Sequence, residues 1–181
     1  MKNKINIILY GNASQGKTTS LMKLAVLLAG NGVIMPTIQK SIDTLFKNGK
    51  GYKDARFIVE YRGLLVYIAT GGDSWMISRI NNEFFEGKSS GLVDVYKTSG
   101  DKVEELTLND KKALSNKQPD ICICACRPSG DGYGAIKSIH SASERMLLDY
   151  SCQLWIHKKK AKDNDIQAKE ILDIINCSFG V

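Results

Sequence analysis

The chain reads as an α/β protein, a three-layer α/β/α sandwich built on a mostly parallel five-stranded sheet with one antiparallel hairpin strand. Three observations carry this expectation. Apolar runs of strand length alternate with stretches of helical periodicity along most of the sequence. A glycine-rich turn stands between the first such run and the first helical pattern. Two further strand patterns, residues 56–61 and 64–70, are separated only by Arg62-Gly63, a connection too short for a crossover helix and suited to a tight antiparallel hairpin.

Taken in order, residues 5–10 form the first strand, an apolar run of the buried type. The first helix spans about 17–29, with Leu21, Leu24, Ala25 and Leu28 on its apolar face, and Gly30-Asn31-Gly32 stops it. Residues 33–51 are less regular. The hairpin follows, and after Thr70-Gly71-Gly72-Asp73 the spacing of Trp75, Ile77, Ile80 and Phe84 predicts a helix to about residue 85, capped by Asp73 or Ser74. Residues 87–119 are lysine-rich and weakly patterned, with a short helix near 108–114. A fourth strand at 121–126, a helix at 135–150, a fifth strand at 152–157 and a closing helix at 163–176 complete the pattern. The closing helix carries Ile166, Ile171, Leu172 and Ile175 as one stripe.

Composition narrows the class. A chain of 181 residues with 43% hydrophobic residues is sufficient for a core, and no Pro/Ser-rich linker divides it, so one domain over 1–181 is expected. Its five cysteines are an odd number. Cys122, Cys124 and Cys126 alternate onto one strand face and lack metal-ligand spacing, so they read as small, reduced core residues. No signal-peptide pattern opens the sequence, and Lys23 interrupts the longest apolar candidate, so a soluble cytoplasmic protein without membrane association is expected. The net charge of +6 comes partly from His157-Lys158-Lys159-Lys160-Ala161-Lys162. That cluster is either a solvated face or, at a strand end, a set of lysines facing a base or phosphates. Basic and aromatic residues do not interleave, so nucleic acid is not an expected partner. Ser129, Ser138, Ser141, Ser143 and His140 lack a G-x-S-x-G elbow, which removes a Ser-His hydrolase.

The chemistry is concentrated in residues 11–18, Gly-Asn-Ala-Ser-Gln-Gly-Lys-Thr, an unbroken G-x-x-x-x-G-K-[ST] between strand and helix. Two glycines let the chain curl until successive N–H groups converge on a polyphosphate, and the following helix points its positive end at the same charge. The expected nucleotide-binding set is Gly11, Asn12, Ala13, Ser14, Gln15, Gly16, Lys17, Thr18 and Thr19. Lys17 would reach the β- and γ-phosphates, Thr18 would coordinate Mg²⁺, and Thr19 would lie near the α-phosphate.

With loop, strand and helix in place, the chain resembles P-loop NTPases of the branch containing small GTPases and nucleotide kinases. The resemblance is one of motif for 11–18 and of topology elsewhere. In GTPases an antiparallel pair delivers an acidic, glycine-containing switch to the γ-phosphate, and the hairpin 56–70 running into Gly71-Gly72-Asp73 is similar. A GTPase would also carry Asp-x-x-Gly after its third strand and Asn-Lys-x-Asp after a later one. Here those places hold Ala69-Thr70-Gly71-Gly72-Asp73 and Ala125-Cys126-Arg127-Pro128. Guanine has no carrier among them, so ATP is expected in preference to GTP. A Walker-B strand ending in an acid is missing as well, because 64–69 runs into Thr70.

Asp73 is the acid nearest the expected place. It would either join Thr18 in holding Mg²⁺ and take a proton beside the γ-phosphate, or cap the helix beginning at Ser74. Glu60 is a weaker alternative at the other end of the sheet. The loop 127–134, Arg-Pro-Ser-Gly-Asp-Gly-Tyr-Gly, follows the fourth strand and should overhang the phosphates. Its Arg127 would neutralise charge on the transferring phosphoryl group or else stay solvated; nothing selects Asp131 or Tyr133. The expected catalytic set is Lys17, Asp73 and Arg127. The function expected is Mg²⁺-dependent ATP binding and hydrolysis, with a switch acting on a protein partner. The alternatives are a small-molecule or nucleotide kinase and a nucleotide binder with little chemistry. The central arginines are Arg62, Arg79, Arg127 and Arg145, few for a kinase with a lid.

Overall fold

β1 (Lys4–Tyr10) is largely apolar and is buried on both of its faces, which suits its place inside the sheet. Ile5, Ile7 and Leu9 enter the main core, while Ile8 turns the other way to meet Tyr67, Ala69, Cys122, Cys124 and Cys126. The computed structural model describes residues 4–30, 32–33, 35–46, 54–73, 95–99, 102–114, 117, 119–131, 133–134, 150–158 and 162–181. Among these residues the fold is α/β, with a mixed seven-stranded sheet and four helices.

The helices are α1 (Lys17–Ala29), α2 (Pro36–Phe46), α3 (Leu108–Leu114) and α4 (Asn164–Phe179). The other strands are β2 (Arg56–Tyr61), β3 (Leu64–Ala69), β4 (Val95–Ser99), β5 (Lys102–Glu105), β6 (Ile121–Cys126) and β7 (Tyr150–His157). They lie in the order β5-β4-β2-β3-β6-β1-β7. β1 pairs in parallel with β6 on one side and β7 on the other, and β6 pairs in parallel with β3.

The expected hairpin is present. Arg62 and Gly63 both have positive φ, 50° and 77°, the backbone of a two-residue turn whose twist suits paired strands. The antiparallel register runs from Tyr61 opposite Leu64 to Arg56 opposite Ala69.

Two expectations about the sheet are corrected. It has seven strands, not five, because the segment 87–119 supplies β4 and β5. It is also more mixed: β4 pairs in parallel with the reversed strand β2, and β5 turns back antiparallel on β4. These strands are short; Val95 and Thr98 of β4 are buried, and Val95 packs with Leu106 just beyond β5. Lysines and glutamates fill much of the rest, so no hydrophobic alternation announces them. α2 occupies part of the stretch read as irregular; Ile38 and Ile42, one turn apart, are its two buried anchors. The helices expected at 74–85 and 135–150, with Trp75 and His140, fall outside the described residues except for Tyr150, which begins β7.

α1 is the centre of the main core, with Leu21, Leu24, Ala25 and Leu28 fully buried together with Met22, Val26 and Leu27. It lies beside α4, to which the Ser20 hydroxyl hydrogen-bonds at the Asn164 side chain (3.1 Å) and Lys23 ion-pairs at Asp165 (2.6 Å). The Tyr61 hydroxyl donates to Asn176 Oδ1 at 2.8 Å, tying the hairpin to the same helix. These contacts hold the N-terminus of α1 rigidly at the end of β1.

Candidate functional site

The loop between β1 and α1 is pinned by both neighbouring strands. The Gly11 N–H donates to the Cys126 carbonyl at 3.2 Å, and the Lys158 N–H donates to the Tyr10 carbonyl at 2.7 Å. Gly11 has no room for a side chain: a Cβ there would meet Gln15 Oε1 and lie 2.9 Å from the Lys158 carbonyl oxygen. Ser14 (φ 61°) and Gly16 (φ 83°) take left-handed backbone, which closes the curl. The Asn12 N–H donates to Gln15 Oε1 at 2.7 Å. Lys17 folds over this curl and donates to the carbonyls of Gly11 and Asn12, each at 2.7 Å. Its ammonium therefore stands at the mouth of the loop. Burial holds its pKa below the usual lysine value, helped by the Arg127 charge and opposed by Cys126 and Asp54.

Thr18 identifies an acid that sequence reasoning missed. Its hydroxyl stands 3.2 Å from Asp54 Oδ1 and 3.3 Å from the Thr70 carbonyl oxygen. Asp54 lies just before β2, far from any strand end where a metal-binding acid would be sought. The antiparallel ladder explains its position. Beyond the Arg56–Ala69 pair, Thr70 N–H donates to the Ala55 carbonyl (2.9 Å) and Ala55 N–H donates to Thr70 Oγ1 (2.8 Å). This extra rung brings the beginning of β2 to the same edge as the ends of the parallel strands. Gly71 completes the fit, since a Cβ there would lie 3.2 Å from Asp54 side-chain atoms.

Asp73 and Arg127 stand beside this group. Arg127 pairs with Asp73 at 3.7 Å, and both side chains are half exposed, a contact worth little by itself. Gly72 allows the approach, because a Cβ there would be 3.2 Å from Cys126 Cα. The structure places Lys17, Thr18, Asp73 and Arg127 in one neighbourhood and adds Asp54, the acid that contacts the Thr18 hydroxyl. Asp54 is exposed to solvent, yet its partial desolvation against the neighbouring groups is the largest influence on its carboxyl and pushes its pKa up. The Thr18 hydroxyl opposes this; the Asp73 charge adds to it, and Arg127 and Lys17 counter it. The Cys126 thiol, next to the loop, is pushed up to about 11 by burial and donates to the Arg127 carbonyl at 3.0 Å. Cys122, Cys124 and Cys126 are free and buried, as their alternation implied. Ala13 and Ser14 are exposed on the loop, and Thr19 is half buried on the first turn of α1.

The groups are of the kind that can hold a phosphate-bearing anion. The loop is a cradle that a Cβ at Gly11 would fill, with a lysine over it. Among the described residues no group of three or more His, Cys, Asp or Glu could hold a metal by itself. A hard cation would accordingly need phosphate oxygens and water beside Thr18 and Asp54, the shell Mg²⁺ prefers. Among the described residues no helix is long and apolar enough to cross a membrane. No family model matches the chain, and no match was found among curated proteins or solved structures.

Thr70→Val should cost about 1–3 kcal/mol in denaturant unfolding, because it leaves the Ala55 N–H without its acceptor. For Asp54 the sign follows from its raised pKa. A proton held more tightly by the folded chain favours folding at low pH, and the advantage fades as pH climbs from 3.8, the ordinary aspartate value, through the raised one. Asp54→Asn keeps an acceptor for Thr18 and cannot ionise. The nucleotide-free variant should therefore gain stability relative to wild type as pH rises from about 3 to about 7, as followed by thermal unfolding.

Proposed function

We propose that the chain is a P-loop NTPase of the three-layer α/β/α type that binds a Mg²⁺-nucleoside triphosphate, ATP in preference to GTP, and hydrolyses it. The observation that carries this reading is the meeting of the Thr18 hydroxyl with the Asp54 carboxylate beside a glycine cradle covered by Lys17. Thr18 and Asp54 would hold the cation. The Gly11–Lys17 backbone and the α1 N-terminus would hold the β-phosphate by fixed N–H dipoles, with no reorganisation needed when charge develops.

The residues around the far end of the phosphates divide the remaining work. Bound triphosphate draws Lys17 from the Gly11 and Asn12 carbonyls onto its β- and γ-oxygens, a charge-assisted contact replacing two neutral acceptors. Arg127 leaves Asp73 to neutralise the γ-phosphoryl group, and Asp73, released from its cation, accepts a proton from the attacking water. Attack of the water oxygen on the γ-phosphorus forms one P–O bond and breaks the bond to the β–γ bridging oxygen, so nucleoside diphosphate and inorganic phosphate are the products; a Mg²⁺ held by Thr18 and Asp54 would offset the charge on the leaving diphosphate. Exchange of the Asp73–Arg127 pair between two states would give a protein partner something to read.

Titration calorimetry with Mg-ATP and Mg-GTP, with phosphate release followed in the same samples, tests this function. Wild type should bind ATP more tightly and release phosphate. Lys17→Ala should lose at least about a hundredfold in affinity, as expected for a charged contact to phosphate; affinity unchanged by that substitution would overturn the proposal.

A further inference from the structure

Apart from Lys17 and Thr18 at the start of α1, the groups assigned above to cation and γ-phosphate lie on one flank of β1. Asp54, Thr70 and Asp73 come from the β2–β3 hairpin and its exit, and Arg127 from the end of β6. The other flank of β1 is β7. A triphosphate lying in the loop with its γ end toward β3 and β6 must extend its nucleoside end toward β7.

A cavity of about 480 Å³ opens there, between the end of β7 and the first turns of α4. Its volume is that of a small-molecule site. Lys158, Asp163, Gln167 and Glu170 supply its polar lining, and Trp155 and Ile166 part of its apolar surface. Lys158 is fully buried, and its ammonium has no hydrogen-bond partner among the described residues. A buried ammonium without an acceptor is costly and calls for one. The same residue touches the phosphate loop, since its N–H bonds to the Tyr10 carbonyl and its own carbonyl abuts Gly11. Cavity and cradle are therefore adjacent. Asp163 and Glu170 act electrostatically on the lysine, and their carboxylates can only accept hydrogen bonds when ionised.

We propose that this cavity receives the base of the nucleotide whose phosphates lie in the loop, with Lys158 donating to a ring nitrogen or carbonyl and Asp163 accepting from an amino group. A donor-only ammonium beside acceptor-only carboxylates matches an amino-bearing base, which offers an acceptor next to N–H donors. Gln167 already donates to Glu170 at 2.7 Å, which orients that carboxylate and leaves Asp163 as the acceptor. The assignment rests on the triphosphate reading of the loop and adds the position and anchor of the base.

The test compares Mg-ATP with Mg-tripolyphosphate, which has the charges but no base, by titration calorimetry on the full chain. Lys158→Met should weaken Mg-ATP about tenfold to a hundredfold, the range for a hydrogen bond to a charged group, and leave tripolyphosphate affinity unchanged. Equal ATP affinity in variant and wild type, or equal loss for both ligands, would overturn the base assignment while leaving the loop's function intact. Failure of the wild type to bind either ligand would overturn both. Should Lys158→Met not fold, Ile166→Trp serves instead, because Ile166 is 59% exposed and lines the same cavity. The larger ring should exclude the base and spare tripolyphosphate; ATP affinity kept at the wild-type level would contradict the proposal.

Discussion

The reciprocal pair between Ala55 and Thr70 adds one rung to the β2–β3 ladder, and the arrangement of the whole site depends on that rung. In a sheet whose central strands run parallel, the ligand edge is normally furnished by strand C-termini. β2 runs the opposite way, and so presents its beginning at that edge. The direction of the chain brings Asp54 to that edge, and the Ala55–Thr70 rung fixes it there. The Thr70 side chain accepts one bond of the rung while its carbonyl faces the Thr18 hydroxyl, so one residue fixes both the acid and the helix that must meet it. Gly71 and Gly72 then let the strand exit pass close over Asp54 and the end of β6.

The same economy holds on the other side of the loop. β1 is held between β6 and β7, and the hydrogen bonds at Gly11 and Tyr10 join the end of each neighbour to the first turn of the loop. The cradle is consequently built on three strand ends and a helix packed deep in the core, and is not a free surface turn. Rigid support of this kind suits a site that acts through fixed dipoles. The charges divide along the sheet. Asp54, Asp73 and Arg127 gather on the side of β3 and β6, and the buried Lys158, with Asp163 and Glu170 near it, lies on the side of β7, which gives the site a direction.

Much of this was legible in the sequence. The loop spelling named its residues, the Arg62-Gly63 turn specified the hairpin, and the alternation of Cys122, Cys124 and Cys126 assigned them to one buried face. The misses have physical causes. Asp54 was hidden because a strand's own end is where its sequence pattern places an acid, whereas antiparallel pairing brings Asp54 to Thr18 from a residue distant in the chain. β4 and β5 were hidden because exposed short strands carry no apolar alternation. Lys158 stands in a run of lysines, and composition does not reveal that it is buried with its backbone against Gly11.

The central claim is that Asp54 and Thr18 together form the cation-binding half of a triphosphate site. The most direct measurement is ATP affinity with and without Mg²⁺, in wild type and in Asp54→Asn. Removal of Mg²⁺ should weaken ATP binding to wild type by about tenfold or more and should change binding to the variant little. An equal dependence on Mg²⁺ in the two proteins would show that Asp54 plays no part in holding the cation.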